Sequence, residues 1–265
     1  MFTLNSVGDL KYYTIDEFKA TGLVKHGFST RCGGVSENEY KSMNLRMHCD
    51  DKPENIMKNY EIFSSGIGVN FKNLVFSNQV HCDTIIRVEK EDMGNGIMGP
   101  QKWDGVDGLI TNEPGVPLCV FSADCVPVFL LDTKKKAIGL VHSGWKGTAL
   151  KISAKCVEKM AEEYGSLPQD ILVGIGPSIG VCHFEVGDEV ADVFRDTFGV
   201  AVLEKHNKWH VNMQKAIEIS LLEKGILKEN IINSDICTYC NSDLLFSHRK
   251  TNGKRGVMAG IMEIL

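Results

Sequence analysis

The sequence predicts a mixed α/β fold whose sheet is not purely parallel. Short apolar runs alternate with amphipathic segments along the chain, which is the pattern of strands and helices packed on one another. Two apolar runs, 126–132 and 137–143, are separated only by the polar segment TKKK, which is typical of a hairpin loop. That hairpin makes at least part of the sheet antiparallel.

Composition predicts one globular domain. The chain has 265 residues, of which 43% are hydrophobic and 24% charged, as in ordinary globular proteins. No internal repeat, low-complexity tract or linker divides the chain, so we expect a single domain spanning residues 1–265. A net charge of −5 offers no basic surface for nucleic acid.

The sequence also predicts a cytoplasmic location. Its amino terminus lacks the basic and apolar regions of a secretory signal. The longest apolar stretch, 118–131, is interrupted by Asp124 and falls short of the ~18–20 apolar residues that span a bilayer. Nine irregularly spaced cysteines do not suggest a disulfide framework, so we expect reduced thiols in a soluble protein. One or two of these thiols are expected to be metal ligands.

The first half of the chain is predicted to form mainly strands. One helix is expected over 53–65, where Pro53 occupies the first turn. The strands predicted from apolar runs and turn residues are 23–29, 73–80, 84–89, 107–111 and 117–122.

The second half adds helices to the hairpin. Thr148 is expected to cap a helix that runs to about Tyr164 and ends at Gly165. Its predicted apolar stripe is Leu150, Ala154, Val157, Ala161 and Tyr164. The remaining predicted elements are strands 171–180, 231–237 and 256–264 and helices 187–198 and 210–224.

The hairpin places a cysteine beside a histidine. If Asp132 pairs with Ala137, His142 lies opposite Pro127 and Cys125 lies opposite Gly144. Cys125 and His142 are then diagonal neighbours on one face, about 7 Å apart at the backbone. A register slip of one residue would separate them, so the expectation depends on the loop.

A third ligand completes a metal-binding pattern. His81 follows an apolar segment in SNQVHCD, and with Cys125 and His142 it gives two imidazoles and one thiolate. Three protein ligands with a free fourth position are typical of catalytic zinc, which activates water or polarises a substrate. Taken singly, each of these residues is more often part of a packed core.

The segment HSGWKGT supports two interpretations equally. Gly144 and Gly147 allow close backbone approach, and Lys146 adds a positive charge where a helix begins, which favours an anion-binding cradle. The alternative is a tight strand-to-helix turn with Trp145 packed inside. The segment does not match a P-loop.

Seven motifs together resemble one known family. They are HGFSTRCGGVS (26–36), NLRMHCDD (44–51), NQVH (78–81), DGLITNEPGVPLCVFSADCVPVFLLD (107–132), VHSGWKGT (141–148), GIGPSIGVCHFEVG (174–187) and CTYCNSDLLFSHR (237–249). In order and spacing they resemble the laccase-domain proteins, also called multicopper polyphenol oxidoreductases. The resemblance runs from about His26 to the carboxyl terminus.

The resemblance implies a fold and an activity. The fold would be a sandwich of β-sheets with flanking helices. The activity would be phosphorolysis of adenosine, inosine, guanosine and methylthioadenosine, with hydrolytic deamination of adenosine. Purine nucleosides and inorganic phosphate would be the partners of a monomer or weak oligomer. The family's metal-binding and catalytic trio falls on His81, Cys125 and His142, which implies a Zn²⁺ cofactor there, with Cu²⁺ binding in vitro.

Motif positions also suggest residues that bind substrate. Lys146 stands where the family commonly has arginine, so it keeps the charge for phosphate but loses the bidentate fork. We expect phosphate near Lys146 and the amides of 147–149. Further candidates carried over from the motifs are Asn44, His48, Gln79 and Arg249. Arg31 and Asp107 are equally well explained as structural.

Other functions remain open at this stage. Cys125 could be the nucleophile of a metal-free hydrolase with His142 or His81 as its base, although such a pair also needs an Asp or Asn orienter. Polyphenol oxidation with copper is a further alternative, but multicopper oxidases need many histidines, and this chain has eight and no HxH pair. A metal-buffering module and an amide hydrolase that edits cell-wall precursors are two further alternatives.

A second zinc pattern gives one more alternative. His183, Glu185, Cys237 and Cys240 are similar to the HxE…PCxxC signature of nucleobase deaminases. Ile236 stands where that signature has proline, and the gap between its halves is long. Burial of both cysteines for structural reasons is the competing interpretation.

Overall fold

The computed structural model describes all 265 residues, in which fourteen strands and seven α-helices follow one another along the chain. The strands are β1 (Phe2–Val7), β2 (Leu10–Ile15), β3 (Val24–Ser29), β4 (Ile85–Arg87), β5 (Gly108–Thr111), β6 (Leu118–Ser122), β7 (Val126–Asp132), β8 (Ala137–Ser143), β9 (Ile171–Ile175), β10 (Glu185–Val186), β11 (Leu203–Lys205), β12 (Trp209–Val211), β13 (Ile231–Asn233) and β14 (Met258–Ile264). The helices are α1 (Asp16–Thr21), α2 (Pro53–Gly66), α3 (Trp145–Ala149), α4 (Ile152–Tyr164), α5 (Asp188–Phe198), α6 (Met213–Glu223) and α7 (His248–Thr251).

Two large sheets carry the fold. A five-stranded sheet in the order β1-β2-β3-β14-β6 is antiparallel throughout. A six-stranded sheet in the order β13-β9-β7-β8-β5-β4 is mixed, because only its two outer pairs are parallel. A small antiparallel sheet, β10-β12-β11, is not hydrogen-bonded to either large sheet. The predicted mixed α/β class, with a sheet that is not purely parallel, is confirmed.

The two large sheets pack face to face. Phe28 of β3 and Met258 of β14 share a buried cluster with Phe129 of β7 and Leu140 of β8. The opposite face of the six-stranded sheet packs on helices α4 and α6, while α2 covers the opposite face of the five-stranded sheet. The expected sandwich with flanking helices is therefore present. None of the helices combines the length and apolar character needed to cross a bilayer.

Strands β7 and β8 are buried at every position, because helices cover one face of their sheet and the second sheet covers the other. This double coverage explains their continuous apolar sequences. Their register pairs Asp132 with Ala137 and Pro127 with His142, as the hairpin predicted. Cys125 comes immediately before β7 and so continues the face on which His142 lies.

Several predicted boundaries are wrong. Segment 73–80 is not a strand, since its backbone forms only isolated bridges, such as that between Val75 and Leu118. The predicted strands 84–89, 171–180 and 231–237 are shorter, and β1, β2 and α1 were not anticipated. The helix predicted from Thr148 is two helices, separated at Lys151, which has a φ of 57°. The first already begins at Trp145, so Thr148 lies inside α3 and the prediction that it caps the helix is wrong.

The buried face of α4 also differs from the predicted stripe. Leu150 is 46% exposed because it lies at the break before α4, and Ala161 faces solvent. The residues that α4 buries are Ile152, Ser153, Ala154, Cys156, Val157 and Met160. Gly165 ends the helix in the left-handed conformation, as predicted.

Candidate metal centre and substrate pocket

Three separate parts of the chain bring His81, Cys125 and His142 together. Sγ of Cys125 lies 3.7 Å from Nε2 of His81, and one ligand atom from each residue lies within 4.8 Å of the others. The two imidazole rings are 4.9 Å apart and nearly perpendicular, at 79°. The structure thus gathers the three residues that the sequence singled out.

A glycine makes room for this cluster. A Cβ atom at Gly144 would lie 2.4 Å from Cδ2 of His81 and 3.3 Å from Sγ of Cys125. The absence of a side chain at Gly144 therefore lets its backbone lie close to the side chains of His81 and Cys125. Any larger residue at this position would displace the His81 ring.

Asp107 organises the loop that carries His81. Its buried carboxylate accepts hydrogen bonds from the backbone N–H groups of Val80, His81 and Cys82 at 2.9 to 3.0 Å. His81 has a φ of 66°, a left-handed conformation that is uncommon outside glycine. The three hydrogen bonds from backbone N–H groups to one carboxylate stabilise that conformation.

The same carboxylate orients His142. Oδ1 of Asp107 lies 2.6 Å from Nδ1 of His142, so Nε2 is the nitrogen left for the cluster. A carboxylate behind a histidine is the usual support of a metal ligand, and it equally supports a catalytic base. The sequence alone does not distinguish a structural from a functional role for Asp107. The structure shows that Asp107 positions both His81 and His142.

The charges of these groups depend on one another. Burial opposes ionisation of the Cys125 thiol, but His142 and His81 outweigh burial and lower its pKa to about 6. Burial likewise opposes protonation of His142, yet Cys125 and Asp107 raise its pKa to about 9. Burial would raise the pKa of Asp107, but hydrogen bonds from His142 and Cys82 lower it to about 2. Cys125 is therefore prepared to act as a thiolate.

One edge of the cluster has the length expected for a zinc site. Tetrahedral zinc with Zn–S of ~2.3 Å and Zn–N of ~2.0–2.1 Å separates a sulfur and a nitrogen ligand by about 3.6 Å. The 3.7 Å between Cys125 and His81 matches this edge. Three ligands leave a fourth position open, which is the arrangement of catalytic zinc.

Two cavities meet at the cluster. One has a volume of about 1090 Å³ and the other about 290 Å³, and His81 and Cys125 line both. Phe184 also borders both cavities. A bound metal would thus face a space large enough for a small-molecule ligand.

Three arginines line the larger cavity: Arg46, Arg249 and Arg255. None forms an ion pair with a carboxylate. Nε of Arg255 is buried without a hydrogen-bond partner, and burial together with Arg46 lowers the pKa of Arg255. Guanidinium groups without an ion-pair partner favour an anionic ligand.

The other predicted pocket residues are divided between the two cavities, and one of them lies outside both. Lys146 lines the smaller cavity, whereas His48, Gln79 and Arg249 line the larger one. Asn44 is fully buried, outside the residues that line either cavity. Its Nδ2 donates to Asp51, and its Oδ1 accepts from the backbone of Arg46 and Val257. Asn44 is therefore structural, and its expected contact with substrate is wrong.

Two pocket residues are largely engaged by the protein itself. The Gln79 side chain donates to the carbonyl of Phe121 and accepts from its N–H, at 2.9 and 2.7 Å. The Arg249 guanidinium donates to the carbonyls of His183 and Glu185 at 3.2 and 3.0 Å. Both side chains fix the walls of the cavity.

The expected amide cradle is only partly available. The N–H of Thr148 donates to the carbonyl of Gly144 at 2.8 Å, so it is not free for phosphate. This part of the expectation for the amides of 147–149 is wrong. Lys146 itself is exposed, with its Nζ 5.6 Å from the Trp145 ring centre.

Sequence reasoning missed Arg46, Arg255 and Phe184. Phe184 lies in the motif GIGPSIGVCHFEVG, so that motif was its only signal. Arg46 lies beside two candidates in NLRMHCDD, yet nothing in the sequence shows that its side chain reaches the cavity. Arg255 follows the last motif and had no signal.

The nucleobase-deaminase alternative is not supported by its proposed acid–base residue. The carboxylate of Glu185 pairs with Lys208 at 2.6 Å, which lowers its pKa. The competing interpretation, that both cysteines are buried, is also wrong, because Cys240 is exposed and Cys237 is half-buried.

Comparisons with known proteins agree on one family. Residues 25–265 match the model of the multi-copper polyphenol oxidoreductase laccase family. The purine nucleoside phosphorylase YlmD of Bacillus subtilis is 34% identical over 88% of this chain and 85% of that protein. A purine nucleoside phosphorylase of Bacteroides thetaiotaomicron is 33% identical over 90% and 91% of the two chains. The crystal structure of YlmD from Geobacillus stearothermophilus is 30% identical, covers 99% of this chain and 98% of its own, and superposes with a TM-score of 0.92.

Proposed function

Because this chain belongs to the multi-copper polyphenol oxidoreductase laccase family, we propose that it is a zinc-dependent purine nucleoside phosphorylase. Its substrates would be inorganic phosphate and adenosine, inosine, guanosine or methylthioadenosine. The observation that carries this proposal is the cluster of His81, Cys125 and His142 at the junction of two cavities. Two relatives named purine nucleoside phosphorylases support the substrate class.

In this proposal His81, Cys125 and His142 hold the metal. A zinc ion bound there would supply Lewis acidity toward an oxygen of water or substrate. Asp107 keeps Nε2 of His142 directed at the cluster, and the lowered pKa of Cys125 supplies a thiolate ligand. The Irving–Williams order favours Cu²⁺ over Zn²⁺ at such a site, so we expect copper to bind in vitro.

Cationic side chains in the cavities would bind phosphate. Lys146 in the smaller cavity and Arg46 and Arg255 in the larger one are the candidates. They would hold phosphate while one of its oxygens attacks C1′ of the ribose and the bond from C1′ to the base nitrogen breaks. Orientation of the two reactants is the main contribution expected from these side chains.

The purine base needs an apolar surface. Phe76, Phe121 and Phe184 line the larger cavity, and the guanidinium carbon of Arg249 lies 5.7 Å from the centre of the Phe184 ring. Aromatic walls with a few polar groups are typical of sites that bind planar ligands. We therefore place the base in the larger cavity.

Four further properties belong to the same proposal. We infer that the enzyme also deaminates adenosine hydrolytically at C6 of the base. We also propose that residues 1–265 act as one domain, in the cytoplasm, as a monomer or weak oligomer. The continuous packing of the two large sheets against each other supports the single domain.

Turnover of inosine and adenosine, with and without phosphate, tests the proposal. We expect His81→Ala, Cys125→Ala and His142→Ala each to lose about 100-fold or more in kcat/KM, because each removes a metal ligand. Cys32→Ala and His206→Ala, which remove the same side-chain types outside the cavities, should keep the wild-type rate. Unchanged rates in all three ligand variants would reject the mechanism.

A second candidate function rests on one observation. Asp107 supplies the orienter that a Cys125–His142 nucleophile pair requires, so the geometry also favours a cysteine-type hydrolase. The two functions differ in metal dependence. Activity that survives complete zinc removal and is blocked by iodoacetamide would favour the hydrolase over the phosphorylase.

A further inference from the structure

A second cluster of soft ligands lies apart from the first. Cys182 and His183 lie between β9 and β10, and Cys237 and Cys240 form a CxxC turn after β13. One ligand atom from each of the four residues lies within 4.8 Å of all the others. We propose that these residues form a second metal site, a closed Cys₃His centre for zinc.

The distances fit one tetrahedral ion. Sγ of Cys182 lies 3.7 Å from Sγ of Cys240, and tetrahedral zinc separates two sulfur ligands by about 3.8 Å. Nδ1 of His183 lies 3.2 and 3.3 Å from those two sulfurs, against about 3.6 Å for a sulfur–nitrogen edge. Small outward movements would therefore suffice to admit the ion.

The backbone around the cluster supports a thiolate. The N–H of Gly180 donates to Sγ of Cys237 at 3.2 Å. A Cβ atom at Gly180 would lie 3.3 Å from Sγ of Cys182 and 3.1 Å from Cβ of Cys237, so a side chain there would crowd the cluster. Hydrogen bonds to the ligand atoms commonly orient and support the ligands of metal sites.

The histidine is also held in place. The His183 ring stacks on Tyr239, inside the CxxC turn, with centroids 3.9 Å apart and an angle of 16°. This contact fixes the ring plane while Nδ1 faces the sulfurs. The same stack joins the two segments that a metal would connect.

The donor set selects the ion and its role. Three sulfurs and one imidazole nitrogen suit zinc and do not suit calcium or magnesium, which prefer oxygen ligands. Four protein ligands leave no open position, whereas His81, Cys125 and His142 leave one. The second site would therefore be structural where the first is catalytic.

The second site connects to the cavity walls. Thr238 of the CxxC turn donates to the carboxylate of Asp124, next to Cys125, at 2.6 Å. The carbonyl of His183 accepts from Arg249, and Phe184 follows His183 directly. A metal at this position would hold the walls formed by Phe184 and Arg249, so its loss should raise KM more than it lowers kcat.

Metal analysis of the intact chain, purified with zinc and a thiol reductant, tests the proposal. Wild-type protein should carry two zinc ions per chain. Cys182→Ser and Cys240→Ser should each retain one, and Cys125→Ser should retain the other. The matched control Cys32→Ser, whose sulfur makes only a 3.9 Å contact with the carbonyl of Asp243, should retain two.

Cobalt substitution of the Cys125→Ser variant gives a readout that does not depend on folding of the second-site variants. The remaining site should show strong sulfur-to-cobalt charge transfer with tetrahedral visible bands, since it supplies three thiolates. Zinc added to metal-free wild-type protein should also protect Cys182 and Cys240 from a thiol reagent.

Two results would overturn the proposal. One is a single zinc per wild-type chain that disappears entirely in Cys125→Ser. The other is a Cys182–Cys240 disulfide recovered from zinc-supplied, reduced protein. The two sites are counted separately. A first site without zinc would lower the wild-type count to one, but that ion would still be lost in Cys182→Ser and Cys240→Ser and kept in Cys125→Ser.

Discussion

The Asp107 carboxylate lies 2.6 Å from Nδ1 of His142 and also accepts the backbone N–H of His81 at 3.0 Å. A single buried group thus positions two of the three residues that would hold the metal. Because these hydrogen bonds come from separate strands and loops, Asp107 couples the position of the His81 loop to the orientation of the His142 ring.

The first prediction concerns Asp107→Asn. The amide cannot accept from every donor that the carboxylate serves, so His142 and the loop at His81 lose their fixed orientation. We expect phosphorolysis and zinc affinity to fall about 10–100-fold. Steady-state kinetics and zinc titration measure the two effects. Asp196→Asn, an exposed carboxylate on α5, serves as the control and should match wild type. Wild-type zinc affinity in Asp107→Asn would contradict the positioning role.

The second prediction concerns the Cys125 thiol in metal-free protein. With a pKa of about 6, it is about 90% thiolate at pH 7, so iodoacetamide should alkylate it rapidly there. The rate should fall as the pH drops through 6. His142→Gln removes a cationic neighbour, so it should raise the pKa and slow alkylation at pH 7 about tenfold.

Mass spectrometry of the Cys125 peptide measures this rate, and added zinc should suppress it. His206→Gln, far from the cluster, provides the control. An alkylation rate that rises only near pH 9, as for an ordinary thiol, would show that the histidines do not activate Cys125.

How well the sequence predicts the site depends on how far apart its residues lie along the chain. The hairpin register places Cys125 beside His142 because four polar residues separate two continuous apolar runs, and the structure has that register. The position of His81 came from ligand chemistry and the family resemblance, since no local pattern links it to β7 and β8. Asp107 lies 35 residues before His142, and its role emerges only from the folded contacts.

Other failures have identifiable physical causes. Leu74, Val75 and Phe76 are buried, as an apolar run predicts, but their backbone does not form a strand ladder. Burial and β-pairing are separate properties, and apolar runs report only burial. The break at Lys151 has no glycine or proline signal, so a continuous helix was the natural expectation.

The third prediction distinguishes two possible phosphate positions. If phosphate binds in the larger cavity, Arg46→Gln should raise the KM for phosphate about 10–100-fold, the loss expected for a charged hydrogen bond. If it binds in the smaller cavity, Lys146→Gln should show that effect, and Lys146→Arg should preserve or improve binding. Initial rates at varied phosphate and saturating inosine measure both. Arg195→Gln, on α5, should change neither, and no KM effect in either variant would exclude Arg46 and Lys146 as the cations that bind phosphate.

The fourth prediction concerns the pH dependence of stability at His26. This histidine is 4% exposed, and its Nε2 accepts the N–H of Ile15 at 2.8 Å, which requires the neutral ring. Burial, with a smaller effect from Lys19, lowers its pKa from 6.5 to about 4. Between those values the unfolded chain binds a proton that the folded chain does not. The free energy of unfolding should therefore decrease as the pH falls from 6.5 to 4, by about 3 kcal/mol in total.

Urea denaturation of metal-free protein across that pH range measures the effect. His26→Gln can still accept the Ile15 N–H but does not titrate, so its unfolding free energy should depend less on pH, by about one proton. His206→Gln, whose side chain is 65% exposed, should keep the wild-type slope. An unchanged slope in His26→Gln would mean that His26 is already protonated in the folded protein, and the Ile15 hydrogen bond would then be incorrectly assigned.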